Sequence, residues 1–202
     1  MADQSRVEAL LSPYLTSLRD IVLGAWTDWM DSGYSGVWRC KRTRAGFIWE
    51  QMTCRAHVEF SFDLHVRIHR QNESFLFVLG DELLFRFKRS DERGYTRNYP
   101  TQAAIEFHDP EQPTLPGLDS LSRVEVSYVL NEAETSVEDI LVVARNGNRV
   151  AWKYSVLDRL DSSQVVEMPD APVAPVAPKP EHRRSLVRVK SAALDRTPAE
   201  KT

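Results

Sequence analysis

Residues 57 to 70 read HVEFSFDLHVRIHR, with an apolar side chain at every second position. Val58, Phe60, Phe62, Leu64, Val66 and Ile68 share one parity. His57, Glu59, Ser61, Asp63, His65, Arg67 and His69 occupy the other. A period of two sends alternate side chains to opposite faces of a pleated strand, so the run predicts a sheet with one apolar and one polar face. At ~3.4 Å per residue, fourteen residues would stretch nearly 48 Å, well beyond a usual strand, so a bend or bulge is expected near Ser61 to Asp63.

The chain ahead of this run follows another period. Apolar residues stand at 7, 10, 11, 14, 15, 18, 21, 22, 25, 26 and 29, the stripe of an amphipathic helix. Pro13 is disfavoured in a helix interior but suits the first helical position, with Ser12 as N-cap. This predicts a short first turn or two, then a main helix from Pro13 to Met30, closed by Gly33 and Gly36.

From Gly36 onward the stretches GVWRCKRTR, FIWEQMTCRAHVEF, DLHVRIHR, FLFVLG and LLFRFKR are rich in aromatic and β-branched residues, separated by the turn-like AG, QNES and GDE. They read as strands of an antiparallel meander. Residues 90–120 carry four prolines and little periodicity beyond a possible helical turn at 101–107, and read as a long connection. SRVEVSYVL then predicts a strand, and EDILVVARNGNRVAWKYSVLD a hairpin. A type I′ turn at Asn146-Gly147 would set Val143 opposite Val150 and Leu141 opposite Trp152.

Together these signals specify an α+β fold: an N-terminal amphipathic helix packed on an antiparallel β-sheet of about six to eight strands. The domain is expected over residues 1–160. Residues 161–202 contain MPDAPVAPVAPKPEHRR, a Pro/Ala-rich linker, and a basic disordered tail. The expected core includes Trp26, Trp29, Phe60, Phe62, Val66, Phe85, Val143 and Trp152.

A length of 202 residues suits one domain with appendages. The N-terminus has no basic segment leading into an apolar core, and no apolar run approaches the roughly 18 residues of a membrane span, so a cytoplasmic location with no membrane partner is expected. Cys40 and Cys54 lack zinc or redox spacing and read as reduced core thiols. The net charge of −3 conceals blocks. Lys and Arg stand against Asp and Glu as 2 to 5 over residues 1–35, 12 to 8 over 36–99, 5 to 13 over 100–170 and 7 to 3 over 171–202. Such asymmetry points to a partner recognised through charge, or to a basic tail visiting its own acidic domain.

Catalytic signatures are weak. Four residues along one strand span roughly 13 Å, so His65 and His69 could not share a metal ion. Cys54 and His57 would leave a strand on opposite faces, and no third group orients a nucleophile. Phosphate-binding glycine loops are absent, and HVE at residues 57–59 lacks the PCxxC of a zinc deaminase. No catalytic residue, metal or cofactor is therefore assigned.

The pattern indicates a non-catalytic protein-binding module of a bacterial or phage system. Its layout compares with antitoxins, secretion chaperones and defence accessory proteins, and its partner would be a protein encoded nearby. The expected partner-binding residues are His65, Arg67, His69, Arg86 and Lys88 on the polar sheet face. Leu186, Val187 and Val189 would form a linear motif in the tail. The alternative is nucleic-acid binding through the basic sheet face, with Arg39, Lys41, Arg42 and Arg44 of WRCKRTR neutralising phosphates. That reading lacks a stacking platform, since Phe85 and Phe87 have core parity. A second alternative is an enzyme with an unrecognised site.

Overall fold

A computed structural model of the chain describes residues 2–71, 74–96, 107–108, 118 and 120–164, without the side chains of Gln71, Ser163 and Gln164. One compact unit spans Met1–Val166, and the second, Glu167–Thr202, lies outside the described residues. So do the tail candidates Leu186, Val187 and Val189, and the helical turn expected at 101–107 apart from Phe107.

Helix α1 spans Gln4–Leu11, capped by Asp3, whose side chain accepts from the Arg6 N–H at 2.8 Å. Pro13 sits in a single 3-10 turn, Ser12–Tyr14, so the break falls where the sequence required one. Helix α2 then runs Leu15–Asp31 and buries Leu18, Ile21, Val22, Ala25, Trp26 and Trp29, the predicted stripe. Gly33, at φ +73°, follows its end.

The largest departure comes next. Residues 41–60, expected as strands, form helix α3, Lys41–Phe60. Its buried residues Ile48, Met52, Ala56 and Phe60 are four apart, a helical stripe that carries it against α2 and the sheet. Helix-favouring Lys, Arg, Ala, Glu and Gln occupy much of its other surface. The alternation at 57–60 is therefore a coincidence within a helix. Where α2 and α3 cross, Gly24 leaves room for the Arg55 side chain to lie over it and grip Asp28 through two contacts of 2.7 Å.

Strands β1 (Val66–Gln71), β2 (Ser74–Leu79), β3 (Leu83–Arg89), β4 (Ser122–Leu130), β5 (Val137–Asn146) and β6 (Arg149–Ser155) form one sheet in sequence order. Helix α4, Val156–Gln164, follows. The α+β class and the N-terminal helix on the sheet agree with the sequence. The sheet, however, is mixed: β3 and β4 run parallel, and the other four junctions among the described residues are antiparallel. Parallel neighbours need a long crossover, which the proline-rich connection between Arg89 and Ser122 supplies.

The helices cover one sheet face. Phe60 meets Tyr14, Phe77 and Phe85 at centroid distances of 6.0, 6.0 and 6.3 Å, and Phe77 stacks on Phe85 at 5.2 Å. Trp26, Trp29, Val66 and Phe85 belong to this core, while Trp152 is half-buried against it, its Nε1 donating to the Ala2 carbonyl at 2.8 Å. Val143 is buried on the opposite face with Val129 and Leu141. Phe62 is in no core: it is 93% exposed.

The β5–β6 hairpin forms with a shifted register. Asn146 pairs with Arg149, so Gly147 at φ +56° takes the first central turn position, and an irregularity follows between Ala144 and Arg145. Val143 consequently faces Lys153, Leu141 faces Ser155, and Trp152 faces Ala144.

Candidate functional site

At the end of α3 the chain turns over residues 61–65 before β1. Asp63 shapes this turn: its carboxylate accepts the His65 N–H at 2.8 Å, and its carbonyl accepts the Val66 N–H at 3.2 Å. Phe60 and Val66 point into the core on either side, and the residues between cannot follow. Phe62 and Leu64 are 93% and 95% exposed, and Val58 on the last turn of α3 is exposed beside them in sequence. The turn lies next to an open edge, since β1 is the first strand of the sheet and pairs only with β2 among the described residues. Three expected site residues are here. His65, Arg67 and His69 are all exposed, and Arg67 pairs with Asp81.

The other sheet-face candidates require correction. Pairing carries Arg67 to Val78, Val78 to Leu84, and Arg86 to Glu125, so Arg67, His69, Arg86 and Lys88 do share the face away from the helices. That face is not uniformly wet. Leu76, Val78, Leu84, Phe107 and Leu121 bury one another on it, and Arg86 is buried too. The Arg86 guanidinium donates to one Glu125 oxygen from Nε at 3.0 Å and Nη2 at 2.7 Å, lies 3.3 Å from His108 Nε2, and sits 3.8 Å over the Phe107 ring. Lys88 is half-buried, and desolvation with the neighbouring Arg86 lowers its pKa to about 8. Desolvation, aided by Arg86, Arg145 and Lys88, holds His108 to about 4 against the pull of Glu125. Among the described residues, the second Glu125 oxygen is buried without a hydrogen-bond partner.

The phosphate-binding candidates are not on a sheet. Arg39, Lys41, Arg42 and Arg44 lie at and just before the start of α3. Lys41 and Arg44, with Arg89 from β3, converge on Glu134 in the β4–β5 turn, at 3.0 Å for Lys41 and 2.7 Å for Arg89. Partial burial pushes the Glu134 carboxyl up, but hydrogen bonds from Arg44, Arg89 and Lys41 prevail and bring it to about 2. Cys40 and Cys54, expected as core thiols, are both free and exposed. Hydrogen bonding from the Thr43 backbone lowers the Cys40 thiol. Among the described residues no group of three His, Cys, Asp or Glu could hold one metal ion, and no helix is long and apolar enough to cross a membrane.

Fold and surface thus define a two-layer α+β protein with a protruding apolar turn at one sheet edge. Comparison with known protein families, curated sequences and solved structures finds no match.

Sequence reasoning missed Glu125, His108 and Glu134, which sit in separate segments with no spacing to link them. It also misplaced Phe62 and Leu64. Their exposure was recoverable from the Ile48, Met52, Ala56, Phe60 stripe, which makes Phe60 the last helical core residue and leaves the next apolar positions in a turn.

Proposed function

We propose that this domain captures another protein, with the α3–β1 turn and the adjoining β1 edge as its docking surface. One observation carries the reading: Phe62 and Leu64 stand almost wholly in solvent beside a strand edge that pairs with no further strand among the described residues. Large apolar side chains in that setting are the anchors a partner buries, since interface energy concentrates in a few such residues. The open edge offers backbone hydrogen bonds to an extended segment. His65, Arg67 and His69 would sit at the polar rim and favour an acidic partner strand.

The antitoxin-like or chaperone-like role is the functional form this reading takes. Affinity purification from the native host, followed by mass spectrometry, tests it with the wild-type protein and the Phe62→Asp/Leu64→Asp variant. A stoichiometric partner that is present with the first and absent with the second supports the assignment. The same protein recovered equally by a folded variant removes the turn from it.

A further inference from the structure

We propose that the corner joining α2 to α3 is a second binding site, for single-stranded nucleic acid. Bases would extend the Trp38–Tyr34 stack, and Arg39 and Arg42 would neutralise phosphates. The corner lies at the start of α3, ~30 Å along the helix from its C-terminal turn.

Tyr34 and Trp38 stack at 4.3 Å with 13° between their rings, yet are 47% and 40% exposed. The Trp38 and Val37 N–H groups both donate to the Tyr34 carbonyl, at 2.8 and 3.0 Å, which fixes the turn that brings the rings together. The platform is anchored from behind. Trp38 lies 6.2 Å from the buried Trp29, which meets Phe47 edge-on at 5.4 Å. Trp38 covers one Tyr34 face, and the residue nevertheless stays 47% exposed. An open aromatic face backed by a rigid stack is what an unpaired base requires, and every base has a π-face to offer.

The charge beside the platform is complementary to phosphate. No acidic residue stands between Asp31 and Glu50, whereas Arg39, Lys41, Arg42 and Arg44 do. Lys41 and Arg44 are committed to Glu134. Arg39 and Arg42 are exposed and have no carboxylate partner among the described residues. A duplex would use the arginines alone, because its bases are already stacked inside the helix. A single strand uses both features.

Fluorescence anisotropy of the full chain with labelled oligothymidylate, its duplex, and an oligoglutamate peptide tests the site. Comparing variants within the full chain holds constant any contribution from the basic residues 171–202. The single strand should bind more tightly than the duplex and the peptide. Tyr34→Ala should weaken it about tenfold, and Tyr34→Phe should retain binding. Two phosphate contacts correspond to a salt slope steeper by about 1.4, which the Arg39→Gln/Arg42→Gln variant should remove. Undiminished binding by Tyr34→Ala, an unchanged salt slope in the arginine variant, or tighter binding of duplex or oligoglutamate overturns the proposal. The substituted side chains are exposed, and circular dichroism of each variant confirms that losses are not unfolding.

Discussion

Arg86 and Glu125 face each other across the parallel β3–β4 junction with their charged groups 2.7 Å apart, buried on the sheet face that turns away from the helices. Glu125 is 1% exposed, so Arg86→Leu leaves a carboxylate in a water-free setting. We expect a loss of about 3–5 kcal/mol in urea unfolding. The double variant Arg86→Met/Glu125→Leu should recover most of it, because removing both charges eliminates the desolvation penalty. A double variant as unstable as the single would show that the pair contributes more than mutual compensation.

Phe60 and Phe62 distinguish the helix from the strand first suggested by their spacing. Phe60→Ala empties a position lined by Tyr14, Phe77 and Phe85 and should cost about 3–5 kcal/mol. Phe62→Ala, in solvent, should change stability by about 0.5 kcal/mol or less. Equal losses in thermal melts would contradict the placement of the α3–β1 turn.

Acid sensitivity should have two separable limbs. His108 titrates near 4 when folded against 6.5 ordinarily, so below pH 6.5 the unfolded chain takes up a proton that the folded chain refuses. Stability therefore falls from pH 6.5 to 4, and His108→Gln should flatten that limb. Glu134 is depressed to about 2 from 4.5, so its stabilising contribution is complete above 4.5 and is lost as pH falls toward 2. Glu134→Gln should flatten this lower limb alone. Urea midpoints measured across pH decide both, and slopes unaltered by either change would refute the assignments.

Gly94 adopts φ +84°, and a Cβ there would approach the Val143 methyl carbons to 3.2 Å. Backbone strain and crowding act together, so Gly94→Ala should destabilise by about 1–2 kcal/mol. Gly46, in α3 with open space around it, should accept alanine with a gain of about 0.5–1 kcal/mol. A thermal shift of the same sign in both variants would contradict this contrast.

Much of the architecture is written locally. The helical stripe from Val7 to Trp29, the break at Pro13, the strands from Phe75 onward and the presence of the β5–β6 hairpin, though not its register, follow from periods and turn residues within a few positions of one another. Local pattern was ambiguous where two periods overlapped. Residues 57–60 satisfy the strand repeat, but Ile48, Met52, Ala56 and Phe60 satisfy the helical one over a longer span, and the longer stripe buries more against α2 and the sheet.

What sequence by itself determined was therefore the class, the N-terminal helix and most of the strands, since backbone period and side-chain polarity suffice for those. Tertiary structure alone decided that β4 joins β3 in parallel and that Arg86 is sealed against Glu125 and His108. Each depends on which distant segment lies alongside. Burial and charge pairing are properties of that neighbour, and no spacing along a single strand or helix encodes it.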